Sequence, residues 1–221
     1  MRPVTRSPVD VWCWVDGTDV PDSVLPLLSD SERARAQRLR FGRHSAAYIW
    51  SRVHAKRILG PLLGLPPEQV RIGVRPCPGC GSPDHGPPTI LPYRGVDISL
   101  SHSEGYSALA VSTRGPVGLD IEKVRALDYE ALAAVSLSAR ERAHVAAHDV
   151  PSAFLRCWTR KEAVLKAVGI GLHSDLAALD VRPHRTGPVG VTHVGPTGTT
   201  NWEVSDLALP DNLAAAVAHP R

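Results

Sequence analysis

Nowhere in the sequence does an apolar run approach the roughly 18 residues that a membrane span requires. The opening Met1-Arg-Pro-Val-Thr-Arg6 leads to Asp10 and Asp16 without a continuous apolar segment of the signal-peptide kind. The expectation is a soluble, cytoplasmic protein that does not act in a membrane. Cysteine is scarce: there are four, and Cys13 and Cys157 have no close partner in sequence, too few for a disulfide scaffold. A Gly-x-x-x-x-Gly-Lys-Ser/Thr loop is missing, which argues against an ordinary P-loop nucleotide hydrolase. Between Arg33 and Arg57 acidic residues are missing altogether, while Arg33, Arg35, Arg38, Arg40, Arg43, Arg52, Lys56 and Arg57 are present with His44 and His54. That segment should attract an anion, although a solvated helix face would have the same composition.

What remains is a 221-residue chain, 43% hydrophobic, able to bury one large core or two small ones. Two short stretches organise it. In Val117-Gly-Leu-Asp-Ile-Glu122 apolar residues alternate with Gly118, Asp120 and Glu122, so in a strand both carboxylates share one face. In Trp158-Thr-Arg-Lys-Glu-Ala-Val-Leu-Lys166 neither Gly nor Pro interrupts a run of helix formers, and Trp158, Glu162 and Lys166 fall on one face at i, i+4, i+8.

In chain order, Val9 to Val15 alternates and predicts a first strand. Ser29-x-x-Glu32 has capping-box spacing and opens a basic helix; a second helix is expected from about Ser45, ending near Gly60-Pro61. Residues 64–95 are rich in Pro and Gly, with one short strand at Val70 to Val74. Cys77-Pro-Gly-Cys80 within them reads as a tight turn, or as half of a zinc site to which His85 would add a ligand. Val96 to Ser101 and Tyr106 to Ser112 predict two strands around a short turn, placing Ser101-His102-Ser103 at a strand end where hydroxyls and an imidazole can meet a phosphate. Leu127 to Val135 should be helical, and Ser138-x-x-Glu141 is a second capping box. The helix holding Trp158 should run from about Ser152 to Gly169-Ile-Gly171. Turns and edge strands are expected over 183–200, and the last strands at Asn201 to Val204 and Leu213 to Ala218.

A weak internal repeat crosses this order. Ser29-x-x-Glu32-Arg33 recurs as Ser138-x-x-Glu141-Arg142, and Trp50-Ser-Arg-x-x-Ala55 as Trp158-Thr-Arg-x-x-Ala163. The predicted architecture is α/β in the broad, α+β sense: two similar halves, 1–114 and 115–221, related by a pseudo-twofold, with the active site in the crevice between them. Two carboxylates on a strand and a third from a helix make a hard oxygen site suited to magnesium, whose shell substrate phosphates complete. Lys161, Lys166, His102 and the basic segment supply the cations that phosphoryl transfer needs.

Gly118-x-Asp120-x-Glu122, followed by Trp158-x-x-Lys161-Glu162-Ala163 and Lys166, with Ser101-His102-Ser103 upstream, resembles the 4′-phosphopantetheinyl transferases of the surfactin-type class. The resemblance implies an enzyme that moves the phosphopantetheine arm of coenzyme A to a serine of an apo acyl or peptidyl carrier protein, releasing adenosine 3′,5′-bisphosphate. It implies Mg²⁺ on Asp120 and Glu122, with Glu162 completing the metal shell or accepting the serine proton. Lys166, Ser101 and His102 would contact coenzyme A phosphates, Arg33, Arg35 and Arg52 its 3′-phosphate, and Lys161 the pyrophosphate or the acidity of Glu162. Where that family commonly has Gly-Lys-Pro this chain has Gly86-Pro87-Pro88, and Arg75 or Arg94 is a candidate replacement for the lysine. Trp158 is expected to anchor its helix in the core. Two fused halves complete the site, so a monomer is expected. The rival readings are a magnesium-dependent nuclease, against which the basic segment lacks interleaved exposed aromatics, and a non-catalytic carrier-binding module, which would have lost a metal carboxylate.

Overall fold

The computed structural model describes residues 1–221 apart from 2, 6–7, 40–41, 84–85, 171–174 and 196–197; Arg40, His85 and Gly171 of the sequence reading, and the side chain of Arg43, lie outside the described residues. Among those described, no helix is long and apolar enough to cross a membrane.

The first sheet is built from β1 (Asp10–Val15), β2 (Arg71–Val74), β3 (Pro88–Leu91), β4 (Asp97–Ser103) and β5 (Tyr106–Ser112), in the order β1-β5-β4-β3-β2. The second comprises β6 (Gly118–Glu122), β7 (Val189–Gly195), β8 (Gly198–Asp206) and β9 (Ala214–Pro220), in the order β6-β9-β8-β7. Every pairing is antiparallel, so the fold is mixed α+β with two antiparallel sheets. Each sheet pairs its first strand in sequence with its last. Glu104 (φ 45°) and Gly105 (φ 82°) make the two-residue β4–β5 turn, whose positive φ values match the twist of the strands it joins. The strand at Pro88–Leu91 was not expected. Prolines crowd it, but Pro88 is its first residue, where a missing N–H costs the ladder least.

Between β1 and β2 run α1 (Asp30–Arg38) and α2 (Gly42–Leu63); between β6 and β7 run α3 (Tyr129–Ser136), α4 (Ala139–Ala146) and α5 (Val150–Val168). Both expected capping boxes form, Ser29 with Glu32 and Ser138 with Glu141. α2 runs one turn beyond Gly60 and through Pro61, stopping where Gly64 turns left-handed (φ 66°). Asp149 caps the start of α5, and Gly169 (φ 86°) ends it as expected.

Alternation along the strands stacks these elements in four layers. Trp12, Trp14, Ile98, Leu109 and Val111 face Ala55 and Leu59 of α2. The opposite face of the first sheet, with Val11, Ala108 and Ala110, meets Leu119, Ile121, Ala215 and Val217 of the second. Ala163, Val164 and Ala167 of α5 then cover the far side of the second sheet against Val204, Ala216 and Ala218. Leu119 and Ile121 are fully buried, each contributing about 1.5–3 kcal/mol. Leu119 and Ile121 spend that burial on the sheet interface, which sends Gly118, Asp120 and Glu122 to the α5 side.

The two capping-box glutamates do a second job. Glu32 accepts a hydrogen bond from the buried Lys56 of α2 at 2.6 Å, and Glu141 one from the buried Lys161 of α5 at 2.8 Å. Each pair ties a short capped helix to the long helix that follows.

Candidate active site

Gly118 is where α5 comes closest to β6. A Cβ there would overlap the carbonyl oxygen of Ala163 and crowd the amide of Ala167, so only glycine admits the contact. The close approach brings Glu162 and Lys166, one turn apart on α5, over Asp120 and Glu122.

Asp120 is buried, and its Oδ1 accepts from Lys166 Nζ at 2.7 Å and Ser101 Oγ at 2.9 Å. Its Oδ2 is buried with no partner among the described residues, and so is Oε1 of Glu162. Buried carboxylate oxygens without donors cost free energy unless something else binds them. Burial, then the negative charge of Asp120, pushes the Glu162 carboxyl up to about 7; Lys166 pulls the other way and Glu122 reinforces the rise. Glu122 is also raised, by burial first and by Asp120, against the bond it accepts from Ser103 Oγ at 2.7 Å. The carboxylates therefore repel one another around a single ammonium group.

That surplus negative charge is what a divalent cation relieves. Among the described residues no three His, Cys, Asp or Glu side chains are arranged to hold an ion unaided. The donor set suits magnesium, which takes one or two carboxylates and fills its shell with waters and phosphate oxygens. Asp120 and Glu162 fit that requirement through their orphaned oxygens, and Glu122 adds to the clustered negative charge.

The other expected site residues separate into groups. Lys166 uses its three donors on Asp120 Oδ1, Ser101 Oγ and the Leu119 carbonyl. The Ser101 hydroxyl donates to Asp120 and accepts from Lys166 and from the Ile121 amide, which fills its capacity of one donor and two acceptors. Ser101 is thus buried inside the carboxylate cluster, with its hydroxyl committed to Asp120, Lys166 and the Ile121 amide. His102, the next residue, is exposed at the end of β4. Partial desolvation of its ring by the surrounding side chains lowers its basicity, the charge of Lys166 adds to the effect, Asp120 opposes it, and His44 and Arg52 reinforce it.

Arg52 stacks on Tyr48 (5.2 Å) opposite Arg35 (5.6 Å), and its Nε and Nη1 are buried without partners among the described residues. Its counterpart in the internal repeat, Arg160, is fully satisfied by Asp206 and the carbonyls of Val181, Arg182 and Arg185. Arg33 is committed to Asp30 and the Leu25 carbonyl and does not join the group. Lys161 points away from the carboxylate cluster. Its ammonium is wholly buried on Glu141 and the carbonyls of Leu176 and Leu179, because one residue along a helix rotates a side chain by about 100° away from Glu162.

Arg75, a candidate for the missing lysine, donates its amide to the Pro87 carbonyl and so runs beside Gly86-Pro87-Pro88, while its guanidinium pairs with Asp97 at 3.1 Å. Cys77 and Cys80 form the tight turn and are not joined by a disulfide, Cys77 being buried and Cys80 exposed, and the backbone amides of Cys80 and Gly79 hold the Cys77 thiol below its ordinary range.

Two features escaped the sequence reading. Ser99, Ser101 and Ser103 of β4 alternate along the strand, and their hydroxyls accept from the amides of Leu119, Ile121 and Lys123. A polar stripe on a strand face that is otherwise buried was the available signal. The second is an apolar cavity of about 200 Å³ lined by Leu127, Leu132, Phe154, Leu155 and Trp158, with Glu122 and Arg125 its polar members. Trp158 is therefore partly a wall of this cavity as well as a core contact, stacked on Phe154 at 6.0 Å.

Comparison with known proteins agrees with this geometry. Residues 116–218 match the model of the 4′-phosphopantetheinyl transferase superfamily. The chain is 31% identical to the 4′-phosphopantetheinyl transferase HetI of Nostoc sp., over 95% of this chain and 87% of that protein. It is 27% identical to psf-1 of Bacillus pumilus over 73% of this chain and 66% of the other, and 34% identical to AcpT of Salmonella typhi over 58% and 61%. With most of both chains matched to HetI, and with the matched region holding β6, α5 and their carboxylates, this protein belongs to the 4′-phosphopantetheinyl transferase superfamily.

Proposed function

We propose that this transferase moves the 4′-phosphopantetheine arm of coenzyme A to a serine hydroxyl of an apo acyl or peptidyl carrier protein, with magnesium held by Asp120, Glu122 and Glu162. The observation that carries this reading is the pair of orphaned buried oxygens, Asp120 Oδ2 and Glu162 Oε1, in a cluster short of positive charge. Bound magnesium supplies neutralising charge at the pyrophosphate.

The chain's own groups do the rest. The serine oxygen forms the new bond to phosphorus, the bond to the departing adenosine 3′,5′-bisphosphate breaks, and the serine proton passes to Glu162 directly or through water. Lys166 holds Asp120 in place, and its charge faces the incoming phosphates. His102 and Arg52 receive the nucleotide phosphates, and Arg35 reaches the same place across Tyr48; the unsatisfied nitrogens of Arg52 support its assignment. Arg75, whose backbone runs beside Gly86-Pro87-Pro88, takes the part of the expected lysine. The apolar cavity beside Glu122 accommodates the pantetheine arm or an apolar side chain of the carrier.

The architecture is read as two similar halves, 1–114 and 115–221, related by a pseudo-twofold, with the site in the crevice between them. Matching sheet orders, the repeated capping boxes and the two buried lysine pairs support it. Since one chain completes the site, the protein acts as a monomer in the cytoplasm, and a sedimentation mass near twice 23.7 kDa at all concentrations would contradict this.

The test is the intact mass of apo carrier proteins incubated with the enzyme, coenzyme A and magnesium. The expected result is a gain of one phosphopantetheine unit that EDTA prevents. No gain on fatty-acid, polyketide or peptide carriers sinks the proposal.

A further inference from the structure

β6 is an edge strand of its sheet, with β9 on one side only. Its other edge should present unpaired amides, and those of Leu119, Ile121 and Lys123 instead meet the hydroxyls of Ser99 (2.9 Å), Ser101 (3.2 Å) and Ser103 (3.2 Å). The serines step two residues at a time along β4, in the same sense as the amides along β6. Side chains of one sheet thus stand in for a missing strand of the other.

A hydroxyl that accepts an amide still has its own proton to give, and here the three serines differ. Ser101 gives it to Asp120 and Ser103 gives it to Glu122, each to the residue just before the amide it accepts. The residue in that place for Ser99 is Gly118, which has no side chain to receive it. Ser99 docks the sheets and does nothing more; Ser103 docks them and also grips a carboxylate.

We propose that Ser103 is a positioning residue for divalent-cation binding, fixing the Glu122 carboxylate by its hydroxyl so that docking of the two sheets sets the geometry of the metal site. The inference rests on the metal reading given above. The bond to Glu122 is short, 2.7 Å, and occupies Oε2, leaving Oε1 for the ion. The Lys123 amide holds the hydroxyl in turn, so the serine cannot swing away without breaking the sheet contact. Glu122 sits at the last position of β6 on a long side chain, and without that grip its carboxylate would sample several rotamers, each of which the ion would have to freeze out. Partners of metal-ligating carboxylates typically carry about 10–100-fold in metal affinity.

The experiment titrates Mn²⁺ into the full chain without coenzyme A, by calorimetry or by the loss of the free-ion EPR signal, with a thermal melt of each variant. Ser99→Ala is the control, since it removes an amide acceptor and no carboxylate donor. Ser103→Ala is expected to lower the melting temperature about as much as Ser99→Ala but to weaken Mn²⁺ binding about 10–100-fold, while Ser99→Ala and Ser103→Thr bind as the wild type does. Equal Mn²⁺ affinity in Ser103→Ala and Ser99→Ala overturns the positioning role while leaving the metal reading standing, provided Asp120→Ala has lost the ion. A wild-type protein that binds no Mn²⁺ alone, and none beyond that held by coenzyme A itself when coenzyme A is added, overturns both.

Discussion

Lys161→Met separates a structural lysine from a catalytic one. The ammonium and its partner Glu141 are both wholly buried, with Lys161 Nζ 2.8 Å from Glu141 Oε2 and bonded also to the carbonyls of Leu176 and Leu179. Methionine matches the length of the lysine and leaves no large void, so the loss is mainly electrostatic. Glu141 keeps the amides of Ser138 (2.9 Å) and Val181 (3.0 Å) but has no counter-charge, and two carbonyls lose their donor. Removing one member of a buried ion pair costs about 3–5 kcal/mol, a large part of the roughly 5–15 kcal/mol that holds a domain folded. At about 2–4 °C per kcal/mol for a chain of this size, the melting temperature should fall by about 6–20 °C. The transfer rate per folded molecule, measured below the onset of melting, should be unchanged. Adding Glu141→Gln should recover part of the loss, because the uncompensated charge is then gone. A Lys161→Met protein that melts like the wild type but no longer transfers would return Lys161 to the chemistry.

Three further substitutions probe other parts of the argument. Gly118→Ala forces a methyl into the Ala163 carbonyl, so a loss of about 3 kcal/mol or more in urea unfolding is expected, and wild-type stability would show that α5 does not pack as described. Burial pushes the Asp16 carboxyl up to about 6 from 3.8, against the bond it accepts from Ser107. The folded state then keeps a proton that the unfolded chain releases, so wild-type stability falls as pH rises from about 4 to about 6. Asp16→Asn should escape that fall and gain roughly 1–2 kcal/mol over the wild type at pH 8 and nothing near pH 3; a gain independent of pH would refute the assignment. Asp120→Ala should bring transfer down to the level of an enzyme-free control while the fold survives, and unchanged turnover at saturating magnesium would remove Asp120 from the mechanism.

What could be read from the sequence was what local periodicity encodes. Asp120 and Glu122 two apart on a strand, and Glu162 and Lys166 four apart on a helix, are each placed by the geometry of a single element. The pairing of Lys161 could not be read, because its partner Glu141 comes from α4 and no local pattern reports a pairing across 20 residues. The setting of Ser101 was hidden for a similar reason, since the groups that its hydroxyl bonds come from β6 and α5. Of the three arginines proposed from the basic segment, Arg33 was diverted by an acid at the start of its own helix, while Arg52 and Arg35 were gathered by one tyrosine. The internal repeat proved more informative than its few matched residues suggested, since its glutamates each hold a buried lysine that the matched segments do not align.

The pairing of β6 with β9 sets Gly118 opposite Ala218, a hundred positions later in the chain. During synthesis the strand bearing Asp120 and Glu122 leaves the ribosome long before its sheet partner exists, while β4 and its serines are already made. The emerging segment can therefore lie down first on the hydroxyls of the first sheet, its future edge occupied and its apolar side chains covered. The last strand to be translated then closes the second sheet by sliding between β6 and β8. On this order of events the serine row covers one edge of the unfinished strand, and the edge that waits for β9 stays open until the last strand arrives.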